Sequence, residues 1–590
     1  MGHRYAGVSS FLIVIDRSPV RATPYRSPGG SFSRLADFST PEASVSVFIE
    51  APSQAGALTP TPSTDGALSI VLGDDQDAGS EGGSPFLGNG VFVRTLPSAR
   101  SVEVYTSISG LPAVFHYRDS DTTMLASSVR HIAALAGNKL RFDPHGLRDM
   151  ATFGCPIHHR TLFENLSVVP AGVRLDLVAG RDLQQTETWT PAQTDTFNSW
   201  ADYIDAQVAA MKAAVSRRLD LNHSFLSLTA GLDTRAIFAL LTERTERIPT
   251  FTMSGQRTTL DAMRASQLSK AYGFPHQTVS IDQAYVDRLP EYASEASLLS
   301  GGLASLGQAF EVHFYRSLSP GLTARISGNL GNQIGRSGTE GTGLRNVNPH
   351  LLSRDFRLDE AAGPREHWLK EALAGQETAR DLFLIQNENL FASLGNYCIG
   401  SHFAIQQTPY ADRTLISQKL RQPPLPQSGT DSILRIRLRD LRHRFLGQPV
   451  AISFQRRIVR DVGGFVSTCP VNWGWRARGG VSLPGLVYGG MAIADVVLGS
   501  RFGRNPVAKR LLSSVGVLGF SSFQASDLLG KPRVREFIAD TLLSAEHAQN
   551  GVLDKQQLRQ LVDRDVADKG SRADVEFALD VAMAQRHFLR

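Results

Sequence analysis

The sequence contains no long apolar run and few cysteines. No stretch of the 590 residues approaches the roughly 20 apolar residues that a membrane-crossing helix needs, so we expect no transmembrane segment and no membrane partner. The early run Phe11–Ile15 is closed by Asp16 and is too short for a signal-peptide core, which favours a cytoplasmic protein. The three cysteines, Cys155, Cys398 and Cys469, form no Cys-x-x-Cys pair, which argues against a disulfide framework or a structural zinc site.

A strong excess of either charge is also absent. Lys and Arg total 61 against 56 Asp and Glu, and this net charge of +5 gives little support to a nucleic-acid partner. Basic residues do concentrate between Arg435 and Arg460. Such a cluster is typical of a site for a polyphosphate or an acidic peptide, but equally of a solvated helical face, and the sequence leaves both interpretations open.

The chain is too long for one hydrophobic core, and its pattern divides it into two parts. Residues 51–86, rich in Gly, Ser and Pro, predict a mobile loop with one short apolar island at Leu68–Leu72. The polar stretch Gln184–Asn198 predicts a boundary between domains of residues 1–190 and 196–590. Short β-type runs spaced by turn residues predict an antiparallel sheet in the first domain, at Phe11–Ile15, Val45–Ile49, Val91–Val93, Val102–Tyr105 and Val114–Tyr117.

The second part begins with a change of period. Apolar residues from Trp200 to Leu219 recur at three- and four-residue spacing, which predicts an amphipathic helix. A strand at Ser224–Leu228, a loop, a helix at Ala236–Leu241 and a strand at Thr250–Met253 follow. Repeated units of this kind build a parallel sheet, so the expected fold class is α/β, with a helical carboxyl-terminal part.

The loop after that first strand carries the strongest chemical signal. Its sequence, Leu228-Thr229-Ala230-Gly231-Leu232-Asp233-Thr234-Arg235, joins the carboxyl end of a strand to the amino end of a helix. Small residues there let backbone N–H groups surround a phosphate, and the helix terminus adds favourable partial charge. Asp233 is the acid expected to bind Mg²⁺ beside the phosphates. A ligand-free tight turn capped by Asp and Thr is the alternative interpretation.

This segment resembles the Ser-Gly-Gly-x-Asp-Ser pyrophosphatase loop of the asparagine synthetase family, with small-for-small replacements at Thr229, Ala230 and Thr234. Further landmarks follow in the family's order over about residues 88–425. Thr250–Met253 is similar to the strand whose backbone receives adenine, and Asp261–Gly273 is similar to a helix of the form Asp-x-x-x-Ala. Ser327–Gln333 is similar to a Ser-Gly-acid-Gly-Ala-Asp-Glu loop, and Pro409–Asp412 is similar to Pro-Phe-Leu-Asp.

The resemblance extends to the first domain, where it implies a degenerate glutaminase domain, an antiparallel β-sandwich like that of the Ntn hydrolases. Residues 101–135, Thr161–Leu166 and Val169–Gly172 carry this part. The family's full enzymes have a catalytic Cys after the initiator Met, whereas this sequence has Gly2. A thiolate is the nucleophile of that chemistry, so we expect no glutamine hydrolysis. We interpret Cys155 as a small buried residue and not as a substitute nucleophile.

For the second domain the resemblance implies an ATP-pyrophosphatase fold of the adenine nucleotide α-hydrolase type, with ATP and Mg²⁺ as its cofactors. The residues assigned to ATP are Leu228, Thr229, Ala230, Gly231, Asp233, Thr234, Met253, Ser327 and Gly328. Asp233 and Asn332 are the metal positions, and Asp233 is also catalytic. The family's second loop offers carboxylates where this chain has Asn329, Asn332 and Gln333, so metal affinity should fall.

The family's carboxyl-terminal Lys, which stabilises departing pyrophosphate, has no clear match in this chain. Arg457 and Arg460 are the positional candidates for that catalytic role, and an Arg binds a polyphosphate well. His276, Glu295 and Glu311 are candidate acids or bases, which we interpret as structural residues.

The implied activity is adenylation of a carboxylate with release of pyrophosphate, followed by displacement of AMP by an amine. Relatives without the Cys include β-lactam synthetases and the cyclases that close the macrolactam ring of lasso peptides. Length, the degenerate first domain and a basic carboxyl-terminal part favour the cyclase, which would act with a precursor peptide and its leader protease. The alternatives are an amidotransferase-like enzyme using ammonia or an amine on a sugar or small metabolite, and a non-catalytic relative that binds nucleotide or peptide.

Overall fold

The fold is given by a computed structural model that describes most of the chain. The described residues are 10–16, 32–39, 44–50, 68–73, 90–179, 181–190, 196–219, 221, 223–255, 258–335, 347–357, 381–423, 453–471, 476–479, 528–544, 551–563 and 569–589. Gly2, the basic residues from Arg435 to Arg444, and the 51–86 stretch apart from 68–73 lie outside them. The predictions made for those positions stay predictions.

Strands in the first part of the described chain form two antiparallel sheets. Their bounds are β1 Ser10–Asp16, β2 Phe32–Ser39, β3 Ser44–Glu50, β4 Leu68–Gly73, β5 Gly90–Leu96, β6 Ser101–Thr106, β7 Phe115–Arg118, β8 Thr122–Ala126, β9 Leu166–Val168, β10 Val173–Val178 and β11 Gln184–Glu187. One sheet has the order β2-β3-β1-β8-β7-β9 and the other the order β11-β10-β6-β5-β4. The five predicted runs fall in β1, β3, β5, β6 and β7, so the antiparallel sheet prediction is confirmed.

The two sheets share one hydrophobic core. Successive side chains of a strand point to opposite faces, so Phe11 and Ile13 of β1 lie on one face and Leu12 on the other. Phe11 and Ile13 belong to a buried cluster with Val93 of β5 and Val104 of β6, which come from the second sheet. Leu12 belongs to a different cluster, together with residues of the helices. The first sheet is therefore covered on both faces, by the second sheet and by helices.

Two short strands differ from the sequence interpretation. The island at Leu68–Leu72, predicted within a loop, is strand β4, because its backbone pairs along its whole length with β5. Gln184–Glu187, at the start of the predicted boundary stretch, is the edge strand β11, and all four of its side chains are exposed. A fully polar edge strand has no apolar alternation, which is why it resembled a linker. The domain limits 1–190 and 196–590 stay a prediction.

Five strands in the second part form a parallel sheet. They are β12 Ser224–Ser227, β13 Thr250–Ser254, β14 His276–Ser280, β15 Ala324–Ile326 and β16 Ile405–Gln407. The order is β14-β13-β12-β15-β16, and all neighbours are parallel. From β12 the chain adds β13 and then β14 on one side of the sheet. It then crosses over and adds β15 and β16 on the other side of β12. In open sheets of this type ligands bind at the carboxyl edge, where the strand order reverses.

Helices cover the parallel sheet and make up the carboxyl-terminal part, as predicted. Their bounds are α1 Val129–Ala136, α2 Pro144–Phe153, α3 Trp200–Arg218, α4 Leu232–Thr242, α5 Leu260–Ala271, α6 Gln283–Ser300, α7 Ala309–Arg316, α8 Gly331–Gly335, α9 Asn389–Phe403, α10 Arg413–Lys419, α11 Ser453–Val462, α12 Gly464–Thr468, α13 Pro532–Leu543, α14 Lys555–Asp563 and α15 Lys569–Phe588. None of the helices in the described ranges has the length and apolarity that crossing a bilayer requires.

Candidate functional site

The loop from β12 to α4 is held by its own threonines. The N–H of Thr229 donates to Thr234 Oγ1 at 3.1 Å, and the two threonine hydroxyl oxygens lie 3.1 Å apart. The N–H of Gly231 donates to Thr229 Oγ1 at 3.2 Å. A Cβ at Gly231, the residue that caps α4, would lie 3.3 Å from that oxygen. The small residues of the motif therefore allow a closed turn immediately before the helix.

Asp261 and Arg235 fix the middle of this loop. Asp261, in the first turn of α5, accepts a hydrogen bond from Ala230 N–H at 2.8 Å. Burial raises the pKa of the Asp261 carboxyl, against the opposing effects of that hydrogen bond and of the Arg235 charge. Arg235 is completely buried and donates to the carbonyl of Ala230 at 2.9 Å. The loop conformation is thus set by two charged side chains that face its backbone.

Backbone donors for an anion come from the helix terminus. The N–H groups of Thr229, Ala230 and Gly231 donate to side-chain oxygens in this structure, and their predicted role in binding a phosphate stays a prediction. The first turn of an α-helix has N–H groups without intrahelical acceptors and carries positive partial charge. In α4 these groups belong to Leu232, Asp233 and Thr234. A phosphate would therefore lie against the start of α4.

The loop after β15 packs directly on Asp233. β12 and β15 are parallel neighbours, so their carboxyl ends, and the loops that follow them, meet at one edge. A Cβ at Gly331 would lie 2.7 Å from Asp233 Cβ, and one at Gly328 would lie 3.0 Å from the same atom. The contact is this close because both positions are glycine. The structure therefore brings Ser327-Gly328 to Asp233 at the point where the strand order reverses.

Two side chains from the carboxyl-terminal half hold Asp233. Gln455 of α11, which is fully buried, donates through Nε2 to Asp233 Oδ1 at 2.9 Å and to the Gly331 carbonyl at 3.0 Å. Tyr410 donates through its hydroxyl to the Asp233 carbonyl at 2.9 Å. Burial, followed by the nearby Asp233 charge, holds the pKa of Tyr410 well above its ordinary value, so the phenol stays protonated. Asp412, two residues later, caps α10.

Met253 lies at the same edge of the sheet. It is the fourth residue of β13, which pairs with β12, and its side chain is partly buried. The N–H of Leu228 donates to the carbonyl of Phe251 at 2.9 Å, so the two strand ends are joined. Of the residues predicted to bind ATP, those from Leu228 to Thr234, Met253, Ser327 and Gly328 therefore share one edge.

The donor set near Asp233 suits Mg²⁺ that arrives with a nucleotide. Among the described residues no group of three His, Cys, Asp or Glu side chains is arranged to hold a metal ion. Asp233 supplies one carboxylate, and Asn332 directly follows the glycine that contacts it. Mg²⁺ commonly uses one or two carboxylates and takes its other ligands from substrate phosphates and water. The residues present fit such an ion, and they do not fit a metal held by protein ligands alone.

Arg457 and Arg460 are not part of this arrangement. Both lie on α11 with Gln455, but they are about 200° and about 140° around the helix from it. Arg457 Nε lies 2.6 Å from Asp461 Oδ2 and Arg460 Nε lies 3.3 Å from Asp461 Oδ1. Their side chains are 43% and 48% exposed. The structure places these arginines away from the buried face of α11, which carries Gln455, and the pyrophosphate-stabilising role suggested for them stays a proposal.

The other acid, base and thiol candidates occupy structural positions. His276 is at the amino end of β14, opposite the loop edge, and its Nδ1 lies 2.9 Å from Thr250 Oγ1. Glu295 pairs with Arg316 at 2.7 Å, and Glu311 pairs with Arg325 at 2.8 Å beneath the sheet. Cys155 is buried within a hydrophobic cluster, as expected.

Gln455 and the roles of Arg235 and Tyr410 are not predicted by the sequence. Arg235 donates to the carbonyls of Cys469 at 2.6 Å and Pro470 at 3.1 Å as well as to the loop. The one available signal for Arg235 was its charge directly before the apolar run Ala236–Leu241 of α4. Gln455 had no such signal, since it lies 222 positions from the aspartate it contacts.

The fold and site define a class of protein, namely an antiparallel β-sandwich joined to a doubly wound parallel sheet with a polar loop cluster at its crossover. Among solved structures the chain is similar to NMN synthetase from Francisella tularensis, at 14% identity and a TM-score of 0.18 over 39% of this chain and 100% of that one. It is similar to glutamine phosphoribosylpyrophosphate amidotransferase from B. subtilis, complexed with ADP and GMP, at 9% identity and a TM-score of 0.17 over 48% of this chain and 64% of that one. A third structure, of an allosteric regulatory enzyme of purine biosynthesis, gives 10% identity and a TM-score of 0.18 over 40% and 66%.

The chain spans slightly less than two thirds of the length of the second and third of these enzymes. At such TM-scores none of the three similarities says what the chain does. No protein-family model matches the sequence, and no curated protein matches it.

Proposed function

We propose that the protein is an ATP-dependent ligase that activates a carboxylate as an acyl adenylate and joins it to an amine. One observation carries the proposal: Asp233, at the amino end of α4, is contacted by the glycine loop after β15 where the parallel sheet reverses order. An anion-binding helix start, a carboxylate for Mg²⁺ and the crossover edge then coincide. The residues proposed to bind ATP are those from Leu228 to Thr234 with Met253, Ser327 and Gly328.

The reaction balances with ATP as the second substrate. A carboxylate oxygen attacks the α-phosphorus, the bond from that phosphorus to the bridging oxygen breaks, and pyrophosphate leaves. The amine nitrogen then attacks the acyl carbon, AMP leaves, and the nitrogen loses a proton. In such chemistry the protein contributes positioning and stabilisation of charge. Asp233 and the first turn of α4 would hold the metal-bound phosphates, whereas Arg457 and Arg460 face solvent in the described part of the chain.

The proposed product is a macrolactam in a lasso-type peptide, made by joining a side-chain carboxylate of a precursor peptide to its amine. Support comes from the sequence resemblance, from the length of the chain and from its basic carboxyl-terminal part. An amidotransferase-like enzyme that uses ammonia or an amine on a small metabolite or sugar is the alternative with the same first step. A precursor peptide and its leader protease would be the partners of the cyclase, which we propose to be cytoplasmic.

A non-catalytic nucleotide- or peptide-binding relative is favoured by a separate observation. Gln455 places an amide on Asp233 Oδ1 at 2.9 Å, and Asn332 stands where the resemblance expects an acid. The amide occupies one acceptor position of the carboxylate, and the asparagine removes one negative charge from the set that the resemblance expects around Mg²⁺. Such a protein would bind ATP at the same edge without turning it over.

The deciding experiment follows the phosphorus atoms of ATP. The protein is incubated with Mg²⁺, ATP labelled at the α-phosphate and a candidate precursor peptide, and the nucleotides are separated. The ligase should form AMP and pyrophosphate, and the peptide should lose one water by mass spectrometry. Release of ADP would refute adenylation, whereas ATP binding without any cleavage, with every candidate substrate, would leave the non-catalytic relative.

A further inference from the structure

The turn that follows β15 contains one residue with an unusual backbone conformation. Gly331 N–H donates to the Gly328 carbonyl at 2.9 Å, which closes a four-residue turn from Gly328 to Gly331. Leu330, the third residue of this turn, has a φ of 65°. Turns of type II need a positive φ at that position, and glycine or asparagine normally occupies it. The β-carbon of leucine is disfavoured in the left-handed region, so Leu330 is strained.

Leu330 differs from the other non-glycine residues that have a positive φ. In the described ranges these are Arg100, His158, His159, Asn165 and His223. All but Arg100 are asparagine or histidine, the types that are enriched at positive φ. Leucine has no such local preference. A packing contact must therefore hold Leu330 in this conformation.

Burial of the side chain supplies this contact. Leu330 is 2% exposed and belongs to the apolar cluster that also contains Leu226 of β12, Ile326 of β15 and Ile334 of α8. Removal of a leucine side chain from water is favourable enough to offset a left-handed backbone. The leucine side chain therefore attaches the turn to the hydrophobic core.

Hydrogen bonds hold the chain on both sides of the strained residue. Thr408 Oγ1 donates to the Asn329 carbonyl at 2.7 Å. Ile334 N–H donates to the Leu330 carbonyl at 2.9 Å. Because both peptide groups are fixed, the turn cannot relieve the strain by a small rotation of its neighbours.

The conformation of Leu330 decides how the turn meets Asp233. Gly328 begins the turn and Gly331 ends it, and Cβ atoms at these positions would lie 3.0 Å and 2.7 Å from Asp233 Cβ. A negative φ at Leu330 would send the following chain in a different direction, so the two glycines could not both keep this contact. The packing of the turn on Asp233 therefore depends on one strained leucine.

We propose that Leu330 is a positioning residue, whose buried side chain holds the turn in its left-handed form and thereby keeps Gly328 and Gly331 against Asp233. It acts through Asp233 and does not touch substrate. Its effect on ATP binding rests on the proposed function, whereas its effect on the turn does not.

The stability of two variants tests the strain. Leu330→Ala removes the buried side chain and keeps a β-carbon at positive φ, whereas Leu330→Gly removes both, so the urea midpoint should be lower for Leu330→Ala. Leu415, fully buried in the same cluster but inside helix α10, is the matched control. There the order should be the opposite, with the lower midpoint for Leu415→Gly, because glycine is unfavourable in a helix.

Hydrogen exchange over residues 327–335, measured without nucleotide, tests the hold on the turn. The Gly331 amide should exchange about tenfold faster in Leu330→Gly, since glycine has no buried side chain and no preference for one sign of φ. Leu330→Met, which keeps an apolar side chain of similar volume, should exchange as the parent does. Leu415→Ala should also leave exchange in this segment unchanged.

Isothermal titration with ATP and Mg²⁺ tests the consequence for the site. Leu330→Gly should bind ATP about tenfold more weakly, because the loop on Asp233 is no longer preorganised. Leu330→Met and Leu415→Ala should bind ATP with the affinity of the parent, which separates positioning from a general loss of stability.

A parent protein that binds no ATP would refute the ligase proposal, and the midpoints and the exchange would still decide whether Leu330 holds the turn. Three results would each overturn the positioning role. They are a lower midpoint for Leu330→Gly than for Leu330→Ala, exchange at the parent's rate in Leu330→Gly, and ATP affinity equal to the parent's in a variant whose turn exchanges faster.

Discussion

Gln455 Nε2 lies 2.9 Å from Asp233 Oδ1 and 3.0 Å from the Gly331 carbonyl oxygen. One buried amide therefore joins three segments: the start of α4, the loop after β15 and the helix α11. The aspartate proposed to carry Mg²⁺ is oriented by a neutral donor, which preserves its charge and limits its freedom to move. This contact leads to the first prediction.

Replacing Gln455 by Leu should destabilise the protein by about 1–3 kcal/mol. Leu has a similar size but cannot donate, so the buried Asp233 Oδ1 and Gly331 carbonyl lose a hydrogen bond. The free energy of unfolding from urea titration is the measurement. Gln283→Leu is the control, because Gln283 is exposed and its side chain donates to Asp287 at 3.2 Å on the surface of α6. Its change should stay within about 0.5 kcal/mol. Equal effects of the two variants would contradict a special role for Gln455.

Asp233→Asn should reduce AMP formation by about a hundredfold or more while leaving the protein folded. The change removes the negative charge that we propose to face the metal-bound phosphates and keeps the shape of the side chain. Loss of such a charge commonly costs several kcal/mol of transition-state stabilisation. AMP release with labelled ATP and the urea midpoint are measured together. Full activity of the variant would remove Asp233 from the mechanism.

Gly331→Ala should impair both stability and ATP binding. Its new Cβ would lie 2.7 Å from Asp233 Cβ, so Asp233 or the loop after β15 must shift. Overpacking of this kind typically costs about 1–3 kcal/mol. Gly307→Ala is a matched control, because a Cβ there meets nothing within 4 Å. Isothermal titration with ATP and Mg²⁺ should show weaker binding for the first variant only, and identical affinities would mean that ATP binds elsewhere.

Much of this fold follows from local pattern. The helix α3 and the strands β12 and β13 were evident from periodicity because each buries one face or is fully enclosed. The position of the loop at the end of β12 also follows, since parallel strands send their carboxyl ends to one edge. The type of each of these elements can be predicted from the sequence of the element itself and its immediate neighbours.

The contacts that orient Asp233 could not be found in this way. Tyr410 and Gln455 are 177 and 222 residues away from it along the chain. A single buried Tyr or Gln has no pattern, and which face of α11 is buried depends on its packing on α4. The sequence favours Arg457 and Arg460 by position alone, whereas the contact with Asp233 is made by Gln455, two positions before Arg457.

Asn332→Asp should tighten the use of Mg²⁺. Asn332 follows Gly331, which contacts Asp233, and the change adds a second carboxylate to a site that has one. Two carboxylates are within the usual range for Mg²⁺ bound with phosphates. The Mg²⁺ concentration that gives half-maximal AMP formation, or half-maximal ATP binding, should fall. Gln333→Glu, one residue further along α8, is the comparison, and a rise for Asn332→Asp would indicate that the two acids repel each other without sharing a metal.

Acidification from pH 7 to pH 4.5 should destabilise the protein in part through His402. Burial, with the charges of Arg130 and Arg316, lowers the pKa of His402 from 6.5 to about 4, and burial also lowers the pKa of neighbouring His131 well below 6.5. Between pH 6.5 and about pH 4, His402 is protonated in the unfolded chain and neutral in the folded protein. Stability therefore falls as the pH drops from 6.5 toward 4, by at most about 1.4 kcal/mol per pH unit for each histidine.

His402→Gln should remove part of this loss, because glutamine does not titrate. Urea unfolding of the parent and the variant at several pH values between 7 and 4.5 gives the slope of stability with pH, and the variant's slope should be shallower. The remaining slope reflects His131 and the other titrating groups. His145→Gln, the same substitution at an exposed position at the start of α2, is measured alongside for comparison. Parallel curves for the parent and His402→Gln would show that folding does not lower the pKa of His402.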